Sequence, residues 1–276
     1  MKRVEDYKKK LPIVELYTAV QSEGSRAGMP TVVVRTTGCT HRCYFGEGGW
    51  CDSWQTSIHP EKGGFSFSDV ERMYDNNPHI KEMMLTGGSP SMHPTLVNEL
   101  AHFAEKRDII VTMETEGSHY LETDFKIDLL SISPKFSNSV PKLGVSTPMG
   151  AATTQRMIDK HNKFRVNVKA IAKSIGYHKD FQLKIVWDGE DELIMSEIRE
   201  FIDELADELE HICYGSCKSR DFIKSLLEDK VYIMPAGASR EALFKSYAKV
   251  FDWVRDNGFK MTWRPHIIAF EDKRFV

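Results

Sequence analysis

Apolar positions along the chain fall into short alternating or continuous runs, each followed by a stretch with helical spacing. The period-2 run at 12–20 predicts a first strand, and the apolar run Thr31-Val-Val-Val-Arg-Thr36 a second. Further strands are expected at 82–86, 109–114, 127–132, 182–187, 231–235 and 260–266. Between them, helical spacing predicts helices from Phe67 onward (Ser68 or Asp69 near its start), at 94–106, across 151–175, at 191–208 and at 238–256. Gly- and Pro-rich punctuation marks turns at 21–30 and a loop over 136–150. Strands alternating with helices in this rhythm mean parallel β/α units. Six or seven such strands form an open doubly wound sheet or a curved, incomplete barrel. In both, ligands bind at the C-terminal ends of the strands.

Composition narrows this only slightly. Hydrophobic content of 41% and charged content of 28% are ordinary for a globular domain, and a net charge of −3 gives no global basic field for nucleic acid. The N-terminus lacks an apolar signal region, and no apolar run is long enough to span a membrane. A cytoplasmic location is the expectation. The 276 residues are expected to form a single domain, with a core at about 12–135 and 180–266 and insertions at about 136–180 and 188–230. From Asp188 to Glu210 there are eleven acids against one Arg, which reads as a solvated helix face.

The chemistry concentrates at strand ends. Cys39, Cys43 and Cys51 fall on one loop directly after the second strand. Three thiolates can converge on one soft metal centre, and iron–sulfur clusters usually take four. A zinc site completed by His41 or His59 is the alternative, but zinc ligands favour two close pairs, and the spacing favours a cluster. Gly87-Gly88-Ser89-Pro90, Glu114-Thr-Glu116-Gly117, Ser133-Pro134-Lys135, Lys184 and His266 fall on the same predicted rim. Glycines 87 and 88 would let backbone approach a ligand, or simply make a tight turn. Arg35 suits a carboxylate through its planar fork, or lies extended from a strand end. Asp52 and Ser53 offer hard oxygens for Mg²⁺, or turn residues. His266 is either a rim group or a satisfied core histidine, and Cys213 and Cys217 read as incidental thiols.

In order and spacing these residues resemble the radical S-adenosylmethionine superfamily, and within it the 7-carboxy-7-deazaguanine synthase family. Gln21-Ser-Glu-Gly24 is similar to that family's Gln-Gly-Glu-Gly, Val33-Val-Arg-Thr-Thr-Gly-Cys39 to its lead into the cluster loop, and Trp50-Cys-Asp-Ser53 to its Trp-Cys-Asp-Thr. Leu85-Thr-Gly-Gly-Ser-Pro90 stands for Thr-Gly-Gly-Glu-Pro and Glu114-Thr-Glu-Gly117 for Glu-Thr-Asn-Gly; Ser133-Pro134-Lys135 and Gln182-Leu-Lys184 also match.

The resemblance implies an α/β fold with an incomplete β/α barrel and helical insertions. It implies a [4Fe–4S] cluster on Cys39, Cys43 and Cys51 whose open iron chelates S-adenosylmethionine, and Mg²⁺ at Ser53. The implied reaction is ring contraction of 6-carboxy-5,6,7,8-tetrahydropterin to 7-carboxy-7-deazaguanine with loss of ammonia, by a carbon–nitrogen lyase of queuosine-type biosynthesis. No side chain is assigned as acid or base, because the cofactor carries the radical chemistry. Val20, Gln21, Ser22, Glu23, Arg35 and Thr86 would hold substrate, with Arg35 on its carboxylate. Gly88, Ser89, Glu116, Ser133, Pro134, Lys135, Gln182 and Lys184 would contact S-adenosylmethionine. The implied partners are a one-electron donor such as flavodoxin or ferredoxin and a second copy of the chain, with no nucleic acid and no membrane. Two departures stand out: seven residues separate Cys43 from Cys51, and Ser89 replaces an acid, for which Glu116 is the expected substitute. A glycyl-radical activating enzyme and a non-catalytic metal-binding scaffold are the competing readings.

Overall fold

The computed structural model describes residues 9–46, 49–190, 193–212, 219–271 and 273–276. Eight strands form one sheet in sequential order: β1 (Ile13–Val20), β2 (Pro30–Thr36), β3 (Glu82–Gly87), β4 (Ile110–Thr115), β5 (Leu129–Ile132), β6 (Phe181–Trp187), β7 (Val231–Pro235) and β8 (Lys260–Met261). β1 pairs antiparallel with β2, and every later pair is parallel. A doubly wound sheet would reverse its strand order. The order never reverses, and β1 and β8 remain edges, so the architecture is the incomplete barrel.

The strands alternate in an informative way. Val32, Val34, Met83, Leu85, Val111, Met113, Leu183 and Ile185 are buried in the apolar core together with helix residues such as Val70, Leu100, Ile171 and Ile202. The intervening positions (Arg35, Thr86, Glu114, Ser131, Lys184) line the cavity instead. With a side-chain period of 2, the outward face is the oily one and the barrel interior is polar. Each buried aliphatic of the outer layer contributes about 1.5–3 kcal/mol.

Helices α1 (Trp54–Ser57), α2 (Phe67–Asn76) and α3 (Pro94–Lys106) follow the first strands. α2 begins at Phe67 as expected, but its cap is Ser66 rather than Ser68 or Asp69, and Asp69 reaches back to the Ser66 N–H at 2.8 Å as a capping box. The expected helix over 151–175 is two helices, α4 (Gln155–Phe164) and α5 (Val168–Tyr177). Asn167 separates them and caps α5 through Ala170 N–H. α6 (Leu193–Ile212) and α7 (Arg220–Asp229) lie between β6 and β7, followed by α8 (Arg240–Asn257) and α9 (Pro265–Phe270). The expected strand 260–266 shrinks to Lys260–Met261, because Pro265 at the first turn opens α9 instead. Cys213 and Cys217 lie outside the described residues. Among those residues no helix is long and apolar enough to cross a membrane.

The open side of the barrel is bridged from below. The turn after β1 spans the N-terminal ends of the strands. Gln21 Nε2 donates to Glu82 Oε2 at 3.2 Å, Arg26 pairs with Glu82, Ser25 N–H donates to Gln182 Oε1 at 2.8 Å, and Gly24 N–H donates to Thr262 Oγ1 at 2.6 Å. The last contact ties the segments after β1 and β8, so the two edges of the sheet meet.

Candidate active site

β2 delivers Cys39 to the rim, and the glycine pair after β3 fixes where it sits. Gly88 N–H donates to Thr36 O at 3.1 Å, and Ser89 N–H to Gly38 O at 2.7 Å. A Cβ on Gly88 would fall 2.1 Å from Gly38 O, and one on Gly87, at φ +130°, 2.2 Å from Thr36 O. The close backbone approach these glycines permit is therefore to the root of the cysteine loop, while both also face the cavity.

The long spacer between Cys43 and Cys51 has a simple solution. Cys51 N–H donates to Cys43 O at 3.1 Å, Tyr44 and Trp50 form an antiparallel bridge, and Phe45 N–H donates to Gly49 O at 2.8 Å. The described residues of the spacer fold back on one another as an antiparallel pair, which leaves the two cysteines side by side. Burial pushes the Cys39 thiol well above its usual value, Cys43 up to about 12, and Cys51 up as well. Thiols held neutral by burial become ligands only when a metal supplies the charge.

Next to Cys39 stands Glu116, delivered by the segment after β4 and 6% exposed. Ser89 Oγ donates to its Oε1 at 2.9 Å and Thr40 Oγ1 to the same oxygen at 3.1 Å. Its Oε2 is buried without a partner. His41 Nδ1 lies 4.0 Å from Oε1, but burial and then the neighbouring His161 and Lys135 pull its pKa down to about 3, so it is neutral. No Lys or Arg among the described residues pairs with Glu116. A buried carboxylate with one idle oxygen is a receptor for a cation.

Across the cavity, of about 740 Å³, runs a chain of alternating charges. Thr86 Oγ1 donates to Glu114 Oε2 at 2.6 Å; Lys184 Nζ bridges Glu114 and Glu23 at 2.5 Å each; Arg264 Nε reaches Glu23 at 3.2 Å and its Nη2 pairs with Asp52. Burial raises the Glu23 carboxyl, but Lys184, Arg264 and His266 outweigh it and hold it far below the carboxylate range. His266 Nε2 sits 3.8 Å from Glu23, so it is a rim group rather than a core histidine.

Arg35 is not extended into solvent. Its Nε donates to Glu15 Oε2 at 2.7 Å, Nη1 to Ser53 Oγ at 2.8 Å and Nη2 to Tyr17 Oη at 3.4 Å. Burial opposes its charge, and Tyr17 and Glu15 more than restore it. Arg274 shares Glu15 at 2.5 Å, and Phe275 packs edge-on against Tyr17 at 5.5 Å.

The cavity thus brings together Cys39, Cys43, Cys51, Ser53, Arg35, Thr86, Gly88, Glu116, Ser133, Lys135, Lys184, Ser22, Glu23 and the half-exposed Val20. Ser89 acts through Glu116 beneath the surface. Pro134 is buried between its neighbours on the same turn. Gln21 and Gln182 sit in the floor: Gln182 Nε2 donates to Ser131 Oγ at 2.9 Å while its Oε1 holds Ser25. Sequence reasoning missed Glu15, Tyr17, Arg264 and Arg274. The first two had a signal, polar residues two apart on a strand whose inner face is a cavity; the others lie beyond the strands.

An open, sequentially wound β/α barrel with three thiols of one loop above its C-terminal strand ends has the architecture of radical S-adenosylmethionine proteins. No family model matches the chain. A relative from Halobacterium salinarum called 7-carboxy-7-deazaguanine synthase is 30% identical over 267 residues, 95% of this chain and 91% of its own length. One of the same name from Rhodopirellula baltica is 28% identical over 264 residues, 96% and 88% of the two chains. The crystal structure of QueE from Escherichia coli has the same fold, with a TM-score of 0.51 at 15% identity over 92% of this chain and 93% of that one. The chain belongs to the 7-carboxy-7-deazaguanine synthase family.

Proposed function

We propose that this protein is a 7-carboxy-7-deazaguanine synthase, a carbon–nitrogen lyase that contracts the ring of 6-carboxy-5,6,7,8-tetrahydropterin with loss of ammonia. The observation that carries this is the convergence of three thiols of one loop and a buried carboxylate with one unpartnered oxygen on one cavity, in a chain matched along nearly its whole length by relatives of that name. The donor set fits a three-cysteine cluster: Cys39, Cys43 and Cys51 would hold it, and the idle Glu116 oxygen suits the ammonium of a bound S-adenosylmethionine. Together the two cofactors supply the one-electron reduction and the carbon radical that starts the rearrangement.

The chain's own residues position and exclude. Glu116, held by Ser89 and Thr40, takes the S-adenosylmethionine ammonium, with Gly88, Ser133, Pro134 and Lys135 around the same ligand. Arg35 takes the substrate carboxylate by exchanging its Glu15 or Ser53 contact for it, beside Thr86, Glu23, Ser22 and Val20. Lys184 touches the substrate side through Glu23 and Glu114. Gln21 and Gln182 act from the floor by fixing the turn that carries Glu23. Mg²⁺ would have Ser53 as its protein ligand and take its other oxygens from substrate and water, since Asp52 is engaged by Arg264. A reducing cytoplasm suits thiols kept unpaired for a cluster, and a homodimer belongs to the same reading.

The test is anaerobic reconstitution followed by assay for 5′-deoxyadenosine with and without the tetrahydropterin. Formation that depends on the tetrahydropterin supports the synthase. Formation that is indifferent to it points to a protein substrate, as in glycyl-radical activation, and none at all to a scaffold.

A further inference from the structure

The first insertion is not merely peripheral. Ser139 O accepts from Tyr44 N–H at 2.9 Å, His161 Nδ1 accepts from Arg42 N–H at 3.1 Å, and Ser146 O accepts from Trp50 Nε1 at 2.9 Å. His59 Nε2 lies 3.1 Å from Thr147 Oγ1. Residues 136–165 therefore brace the cysteine loop on both arms of its hairpin. His161, fully buried, stacks edge-on against His41 at 5.2 Å, which seats α4 directly on the stretch between Cys39 and Cys43.

The solvent side of this insertion has a distinct chemistry. Between residues 136 and 175 the chain carries seven Lys or Arg against one acid, Asp159, although its overall net charge is −3. Arg156, Lys160 and Lys163, spaced by four and three, share one exposed stripe of α4, and Lys142 is exposed nearby on the preceding loop. None of the four forms an ion pair with a described residue. Arg165, which does pair with Glu197, is left out of the stripe. Beside the stripe, Leu143 and Met149 are each 65% exposed on the loop that contacts Trp50 and His59. An apolar centre with a charged rim is the composition of a transient docking surface.

We infer that this basic face of the insertion docks an acidic one-electron carrier protein, which hands a single electron to the centre held by the cysteine loop and leaves oxidised by one electron. The inference rests on the proposed function, since only a centre reduced one electron at a time needs such a carrier. Charge complementarity selects the occupant: unpaired cations steer an anionic partner, and apolar tips let it release quickly.

The test uses the reconstituted full chain and the charge-reversed variant Arg156→Glu/Lys160→Glu/Lys163→Glu, whose sites are solvent-exposed. Three quantities are read: binding of a flavodoxin by calorimetry, oxidation of the reduced flavodoxin by stopped-flow absorbance, and reduction by dithionite. The wild type should oxidise flavodoxin at a rate that falls about tenfold or more between about 20 and 200 mM salt. The variant should bind flavodoxin at least about tenfold more weakly and lose the salt dependence, with dithionite reduction unchanged. Equal flavodoxin binding and rates in the two proteins would overturn the docking face. So would tight, salt-sensitive binding of a fluorescent oligonucleotide that the variant loses, which would make the face a nucleic-acid site. Failure of the proposed function looks different: 5′-deoxyadenosine would be absent, or formed without regard to the tetrahydropterin, in both proteins alike.

Discussion

Ser89 Oγ donates to Glu116 Oε1 at 2.9 Å, so the residue that lacks the family acid holds in place an acid on the neighbouring strand end. On the proposed function, Glu116 supplies from the neighbouring strand end the charge that Ser89 does not. Glu116→Gln should weaken S-adenosylmethionine binding at least tenfold, about 1.4 kcal/mol. Ser89→Glu combined with Glu116→Asn should recover most of it. Isothermal titration of the reconstituted protein checks both, and normal affinity in Glu116→Gln would remove the role.

Arg35 is engaged through each of its three guanidinium nitrogens, by Glu15, Ser53 and Tyr17, so substrate must share or displace these contacts. Lys in its place keeps the charge and loses the fork. Arg35→Lys is expected to cost about 1.5–3 kcal/mol of substrate affinity and leave S-adenosylmethionine binding intact. Titrations that show equal losses for both ligands would count against the assignment.

Cluster loading should need three thiols and no others. Replacing Cys39, Cys43 or Cys51 by Ala should abolish iron uptake, while Cys213→Ala/Cys217→Ala should keep the iron content and visible spectrum of the wild type. Loss of the cluster in the double variant would mean a different ligand set.

Buried histidines, His161 and His178 among them, set a pH limit on stability. Burial, reinforced by Lys135, Arg165 and Arg42, lowers His161 to about 3, and burial also lowers His178, which accepts from Ile127 N–H at 3.1 Å. Both are neutral in the fold and bind a proton more readily when unfolded. Stability should therefore be full above about pH 6.5 and fall as the pH drops below it, by up to about 1.4 kcal/mol per unit for each histidine. Denaturant titrations between pH 7 and 5 check this, and His178→Asn should flatten the slope. A slope unchanged in that variant would contradict the assignment.

Much of this site was legible because its residues sit where a β/α period must end. The positions of Cys39, Gly88, Glu116 and Ser133 follow from counting strands, and Glu116 was singled out by the missing charge at Ser89. What the chain did not reveal depends on contacts across long sequence distances. Lys184 and Glu23 are 161 residues apart, and Arg264 and Asp52 are 212 apart. The hairpin between Cys43 and Cys51 was hidden because Phe45-Gly46 and Gly49-Trp50 carry no alternating pattern. The break between α4 and α5 was missed because helical spacing continues through it, and only the Asn167 cap interrupts it.

The reaction itself is open to direct observation. Reconstituted protein, S-adenosylmethionine, reductant and 6-carboxy-5,6,7,8-tetrahydropterin are incubated without oxygen and followed by mass spectrometry. 7-Carboxy-7-deazaguanine and ammonia should form in equal amounts, with neither formed by Cys39→Ala. A fully cluster-loaded protein that cleaves S-adenosylmethionine yet leaves the tetrahydropterin unchanged would contradict it.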